Sequence, residues 1–356
     1  MMSTTPTPVR VGLVGCGNVS ARYLENVADS GALEVVACAD LDLVLAARTA
    51  ERFSIDAEPS VAALLARPDI ELVLNLTIPA AHAAVSMDAL AAGKHVYTEK
   101  PLATDRESAV ALLQRAEELG LVVGCAPDTF MGAGIQACKA LIETGAIGTP
   151  VSANAFTMNA GPERFHPAPD YLYRAGAGPL LDGGPYTVTV LVELLGRVDR
   201  VVAMATMPRA ARSILVGDRA GAEFPVETST HVASLLHFAE GVIVTMVNSF
   251  DVADTTTPRL EIHGTHGSII APAPNSWGGP LLVRARDSSE FVAVGIDESR
   301  AGFMGMGLID MAEGLREGRP PRASGERGLH VLEVLAAIGS AAQDAAGVTL
   351  GERASA

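Results

Sequence analysis

The chain has 356 residues, 49% of them hydrophobic and 19% charged, with a formal net charge of -15. That length and apolar content suit two globular domains and exclude a largely disordered chain. The acidic balance, with no Lys/Arg cluster, excludes a basic nucleic-acid face and disfavours an anionic membrane surface.

No apolar run approaches the roughly 18 residues that span a bilayer. Residues 1–10 are Thr/Pro-rich, lack the apolar stretch of a secretory signal and read as a frayed tail into the first strand. Cys16, Cys38, Cys125 and Cys138 have no CxxC spacing. They read as reduced thiols of a cytoplasmic protein, and no metal site is expected.

Strand and helix alternate through the first third. The patterns predict strands at Val9–Val14, 35–39, 72–76, from Val96, and 121–125. Helices are expected at 19–28, Leu43–Phe53, 82–92, and from a Thr104/Glu107 capping box to Leu119. This order implies a parallel, doubly wound sheet with helices on both faces. After about Pro127 the grammar changes. A helix over 132–144 precedes strand-like runs at 151–158, 201–207, His231–Phe238, 242–250, 260–263 and 268–271, several joined by Gly-containing turns. That is the pattern of an antiparallel sheet. Residues 185–195 are Thr/Val-rich yet bounded by Gly183-Gly184 and Gly196, and are read as a helix. Helices return at Met306–Glu317 and 330–345. The expected domains are 1–127 and 128–356, packed tightly with the site between them and with the last helix free to pack back on the first domain.

Gly12-Leu13-Val14-Gly15-Cys16-Gly17-Asn18-Val19-Ser20 closes the first strand and opens the first helix. Gly15 permits a tight turn, Gly17 lets backbone approach a pyrophosphate, and the helix start offers N–H groups to that anion. Asn18 and Val19 belong to the same loop. Ser20 stands where the fingerprint has Gly or Ala, which should loosen helix–strand packing slightly. Asp40 follows Gly17 by 23 residues at the end of the second strand. An acid there suits the ribose hydroxyls and repels a 2′-phosphate, so NAD is favoured over NADP.

Asn75-Leu76-Thr77-Ile78-Pro79, His82, and Ala91-Ala92-Gly93-Lys94-His95-Val96-Tyr97-Thr98-Glu99-Lys100-Pro101, taken with Gly15-Cys16-Gly17-Asn18, resemble the Gfo/Idh/MocA family over nearly the whole chain. The resemblance implies a Rossmann domain followed by an α+β domain with a large, open, mostly antiparallel sheet. It implies that Lys100 lies beside the nicotinamide and the reacting carbinol, that Pro101 fixes its turn, and that Glu99 and Lys100 contact the cofactor. Thr77 and Pro79 would line the nicotinamide, and His82 is either a cofactor contact or a packing residue. The family's second motif is an Asp followed four positions later by His; here Asp182 is present, but Tyr186 takes the histidine's place. Tyrosine has a reference pKa of about 10, so a cation such as Lys100 would have to tune it. His166, in a Pro-punctuated loop, is the other candidate for the acid–base group. Asp128, Tyr171, Tyr173 and Arg174 are candidate substrate contacts. His231 and His237 read as structural.

The chemistry implied is reversible oxidation of a secondary alcohol on a sugar, glycoside, sugar acid or cyclitol. Two rivals stand beside it: a lyase or glycosidase that uses tightly held NAD transiently, and a non-enzymatic nucleotide sensor. An open sheet implies a homodimer or homotetramer.

Overall fold

The computed structural model describes residues 7–297, 301–344 and 347–351. The expected tail falls mostly on residues 1–6, and the expected end of the last helix on Ala345; both lie outside the described residues. By contact the chain divides into two units. One holds the residues up to Asp128 together with Phe303–Leu332, and the other holds Thr129–Gly302 with the residues from Glu333 on.

The first unit begins with β1 (Val9–Val14), α1 (Ser20–Val27), β2 (Leu33–Ala39), α2 (Leu43–Phe53), β3 (Asp56–Ala57) and α3 (Val61–Leu65). β4 (Leu72–Asn75), α4 (Pro79–Ala91), β5 (His95–Thr98), α5 (Arg106–Leu119) and β6 (Val123–Cys125) follow. Six parallel strands form one sheet in the order β3-β2-β1-β4-β5-β6. All of β4 and nearly all of β1 are buried, as strands covered on both faces must be. Register decides where the chemistry can sit. Val14 pairs with Ala39 and Asn75, Asn75 with Thr98, and Thr98 with Cys125. The carboxyl ends of five strands are therefore level, and Gly15, Asp40, Thr77 and Lys100 follow them at one edge.

Two helix starts depart from expectation, and two short elements were not foreseen. α4 starts at Pro79 because proline's missing N–H costs nothing at the first helical position. α5 is capped by Asp105, whose carboxylate accepts from the Ser108 N–H, rather than by Thr104. Asp105 occupies the cap position in extended backbone, from which its carboxylate reaches the free Ser108 N–H. The short β3 and α3 escaped notice because neither spans a full hydrophobic period.

The second unit contributes α6 (Ala133–Glu143), β7 (Pro150–Met158), α7 (Pro179–Leu195), β8 (Val198–Thr206), β9 (Ala211–Ser213) and β10 (Glu223–Pro225). It continues with β11 (His231–Phe238), β12 (Ile243–Ser249), β13 (Leu260–Gly264), β14 (Gly267–Ile270), β15 (Leu282–Ala285) and β16 (Val292–Ala293). The chain then runs through α8 (Met306–Glu317), which belongs to the first unit, and α9 (Gly325–Asp344) to β17 (Val348–Thr349). α9 starts ahead of the expected position, so His330 lies within it rather than opening it. Nine strands form a sheet in the order β16-β15-β14-β13-β7-β12-β11-β8-β17, antiparallel except for the parallel β12–β7 pair. One face is buried through Ala153, Ala155, Val244, Met246, Leu236 and Ile262, with α7 packed against β7, β11 and β12.

α7 begins six residues before the expected start. Gly178, with φ +93°, turns the chain, and Pro179 takes the first helical position. Gly183 and Gly184 lie inside the helix because a Cβ there would meet Thr157 or Leu335 at 2.7 Å. They allow close packing rather than a break, which local reading cannot distinguish.

Candidate active site

At Gly15 the backbone has φ +94°, and a Cβ would stand 2.7 Å from the carbonyl carbon of Leu76. Only glycine fits. Gly17 has open space around it, while Asn18 and Val19 are exposed. α1 has no side-chain cap and no acid in its first turn, so no side chain there neutralises its positive dipole end. Ser20 is 2% exposed and its hydroxyl donates to the Gly17 carbonyl at 2.7 Å. The hydroxyl closes the turn it enters. Asp40 accepts from the Cys16 N–H at 2.7 Å and the Asp42 N–H at 2.8 Å, one on each oxygen. Each oxygen keeps acceptor capacity for a ribose hydroxyl. An open glycine turn, an uncapped helix start and an oriented carboxylate fit a dinucleotide.

The next strand end holds Lys100. Asn75, fully buried, accepts from both the N–H and the hydroxyl of Thr77, and donates to the His82 carbonyl and to Ser86. The Asn75 carbonyl accepts from the Glu99 N–H at 2.9 Å. Glu99 accepts from the Tyr23 hydroxyl and from the Lys100 N–H, both at 2.9 Å. Burial holds the Tyr23 phenol well above its ordinary pKa, so it remains a donor. Through these bonds the Glu99 carboxylate, a candidate cofactor contact, ties the Lys100 turn to α1. The Lys100–Pro101 peptide is cis. His82 is 1% exposed and bonded to backbone, the packing side of its two readings. Lys94 donates to the carbonyls of Arg67 and Ile70, and the His95 Nδ1 accepts from the Val122 N–H. Much of the recognisable block is therefore scaffolding. Pro79 is exposed at this edge beside Ile78, which is 70% exposed and which sequence reading passed over.

In the second unit Asp182 and Tyr186 stand four residues apart at the start of α7, both half-buried and hence on one side of the helix. The loop before α7 carries His166 and Tyr171, whose rings meet edge to face at 5.6 Å. Burial, then the Asp182 charge, raises the Tyr171 phenol above its ordinary value, which ties this loop electrostatically to Asp182. The His166 Nδ1 accepts from the Ala168 N–H at 3.0 Å. A backbone N–H can only donate, so the neutral ring carries its proton on Nε2 and presents a donor there.

Two expected substrate contacts are corrected. Tyr173 is fully buried among Ile214, Phe224, Val226 and Phe250, and its hydroxyl donates to Glu163. It anchors the loop instead of lining a pocket. Asp128 is 3% exposed, and its Oδ2 accepts from the N–H groups of Gly305 and Gly307 at 2.8 and 3.1 Å. It caps the start of α8, because free N–H groups there need an acceptor. Arg174 is exposed. Sequence reading missed Arg212, 5% exposed, which pairs with Glu163 and Asp251 and lies 5.1 Å from the Tyr173 ring. Nothing local marks a buried arginine on a three-residue strand. Phe165, 70% exposed on the same loop, was also passed over. His231 bonds Ser249 and His237 pairs with Asp199 on the sheet. Among the described residues no group of His, Cys, Asp and Glu could hold a metal ion, and no helix is long and apolar enough to cross a membrane.

These features define an oxidoreductase with an NAD-binding Rossmann domain. Residues 9–126 match the oxidoreductase family with an NAD-binding Rossmann fold, and residues 135–270 match the GFO/IDH/MocA C-terminal domain. The chain belongs to the Gfo/Idh/MocA family of sugar and cyclitol oxidoreductases. It is 28% identical over 350 residues to a dTDP-3,4-didehydro-2,6-dideoxy-alpha-D-glucose 3-reductase of Actinomadura kijaniata, covering 95% of this chain and 96% of that protein. It is 33% identical over 169 residues to an inositol 2-dehydrogenase of Saccharopolyspora erythraea, covering 45% and 48%. A solved NAD-binding oxidoreductase from Klebsiella pneumoniae superposes with a TM-score of 0.83 at 22% identity, covering 98% of this chain and all of that one (100%).

Proposed function

We propose that this chain moves hydride between NAD and a secondary alcohol carbon of a sugar, glycoside, sugar acid or cyclitol. The observation that carries this reading is the held Lys100 turn, braced through Glu99 and Asn75 at the level edge where the glycine loop and Asp40 also emerge. Bound NAD would supply the hydride acceptor. The Lys100 ammonium stabilises charge on the reacting oxygen, and the Thr77 and Pro79 segment lines the nicotinamide. Asp182 orients the substrate or the Tyr186 phenol, and Tyr186 moves the hydroxyl proton. His166 was the rival base. Its Nδ1 is already an acceptor for backbone, so its Nε2–H serves as a donor to a substrate oxygen. Tyr171, Phe165 and Arg174 supply the surface on which a ring sits. Asp40 gives the preference for NAD over NADP.

The test follows nicotinamide absorbance with purified protein, NAD or NADP, and a panel of pyranoses, glycosides, sugar acids and inositols, with keto-sugars assayed in reverse. Turnover on one class with NAD supports the reading. Silence across the panel with cofactor retained would replace it with the redox-cycling lyase or glycosidase. The same proposal includes a homodimer or homotetramer in the cytoplasm. Met204, Leu235 and Ile243, 76%, 47% and 51% exposed, stand on the open face of the nine-stranded sheet. A monomer in light scattering would refute the assembly.

A further inference from the structure

His82 lies in the first turn of α4 and is 1% exposed. Its Nδ1 is 2.6 Å from the Pro101 carbonyl oxygen, and its Nε2 is 3.0 Å from the Thr77 carbonyl oxygen. A carbonyl oxygen only accepts, so each contact requires a proton on the ring nitrogen. A neutral imidazole has one such proton. The ring bonds both carbonyls only as imidazolium, and both bonds are then charge-assisted. A cation in the first turn of a helix opposes the helix dipole. Against that opposition stand the two contacts to carbonyl oxygens, at 2.6 and 3.0 Å.

The two carbonyls belong to segments far apart in sequence. Thr77 follows β4 and is itself pinned to Asn75, whose amide donates to the His82 carbonyl at 3.0 Å. Pro101 directly follows Lys100. Glu99 holds the Lys100 turn from its amino side through the Lys100 N–H. His82 holds it from the other side through the Pro101 carbonyl. The turn is thus gripped on both flanks of Lys100, once by a carboxylate and once by an imidazole.

We infer that His82 is a positioning residue: a buried imidazolium that staples the Thr77 segment to the Lys100–Pro101 turn and so sets the place of the Lys100 ammonium, which rests on Lys100 being the group that polarises the substrate oxygen. A staple of this kind acts at the nicotinamide end, where the Thr77 segment lies in the proposed reading, and so affects the chemical step more than the grip on the pyrophosphate and ribose. The glycine loop and Asp40 take no part in it, whereas a small displacement of Lys100 misplaces its charge against the reacting oxygen.

The test combines a ring spectrum with kinetics. The wild-type protein, labelled with ¹⁵N at histidine, is recorded at neutral pH, and the His82 signals are assigned by their loss in His82→Phe or, should that variant fail to fold, in His82→Gln. Both ring nitrogens are expected at the protonated position. One nitrogen at the unprotonated position overturns the staple. In kinetics, His82→Phe is expected to lower kcat about a hundredfold, the scale of an ångström-sized misplacement, with NADH affinity little changed. His82→Gln, whose amide can still donate to one carbonyl, restores part of that loss. Equal falls in kcat, NADH affinity and melting temperature, with no rescue by glutamine, would show a purely structural residue and overturn the inference. If Lys100→Met is fully active while the ring spectrum shows both protons, the staple stands and the assignment of Lys100 falls.

Discussion

The two sets of candidate groups are held in opposite ways. In the first unit the side chains around Lys100 bond mostly to backbone: Glu99 to the Lys100 N–H, His82 to two carbonyls, Asn75 to the Thr77 N–H and the His82 carbonyl. In the second unit the candidate groups stand on a helix start and on an irregular loop anchored by side-chain ion pairs, with Arg212 gripping Glu163 and Asp251 and Glu163 gripping Tyr173. Backbone-directed bonds demand a particular residue at a particular spacing, and they leave a motif in the sequence. Ion pairs closed across about 50 positions, as between Glu163 and Arg212, leave none.

The largest effect tests the first arrangement. Lys100→Met should lower turnover by between about a hundred- and a thousandfold, the range for removing one preorganised charge. NADH binding, read by fluorescence, should persist, because the glycine loop and Asp40 are untouched. Loss of binding with turnover would mean that Lys100 holds the cofactor rather than the substrate oxygen.

Arg212→Met tests the second arrangement. It leaves the Glu163 and Asp251 carboxylates, 7% and 12% exposed, without their cation. Breaking a buried ion pair on one side costs about 3–5 kcal/mol. The melting temperature should fall on the order of 10 °C, and the KM for substrate should rise as the loop carrying His166 and Tyr171 loosens. A fall in melting temperature with an unchanged KM would separate the ion cluster from the substrate surface.

Tyr186→Phe comes next, with an expected loss in kcat of about a hundredfold, the scale of a missing acid–base group. His166→Gln should act mainly on KM, because His166 offers a donor to the ligand. A reversal of these two results would return the acid–base role to His166. Asp40→Asn should then reduce the preference for NAD over NADP by about tenfold, the scale of one charge-assisted hydrogen bond.

The parallel sheet, the glycine loop and the antiparallel sheet were legible, because each follows from a period or from a spacing imposed by backbone; the Lys100 turn and the openness of the second sheet came only from the resemblance to a known family. The role of Asp128 was not. Its partners Gly305 and Gly307 lie 177 and 179 residues away, and an Asp after a strand reads equally well as a ligand or as a cap. Tyr173 misled for a related reason: in a loop sequence of Asp170-Tyr171-Leu172-Tyr173, alternate tyrosines look alike, and only packing sends Tyr171 outward at 52% exposure and Tyr173 into the core. The start of α7 was misplaced because glycines that permit close packing look the same as glycines that break a helix.

The smallest effect concerns His95, within the recognisable block but without a chemical role. Burial, partly offset by Glu71 and reinforced by Arg316, holds its imidazole below the ordinary value. Its Nδ1 accepts from the Val122 N–H, so a proton added there removes that bond. In the unfolded chain the ring takes up a proton near its ordinary pKa of about 6.5, while the folded ring resists until lower pH. The unfolded state therefore binds more protons in that window, and His95 subtracts stability as pH falls below about 6.5. Calorimetry at pH 7.5 and 5.5, both about one unit from that reference value, should show a smaller drop in melting temperature for His95→Gln than for the wild type. An equal drop in both would place the acid sensitivity elsewhere.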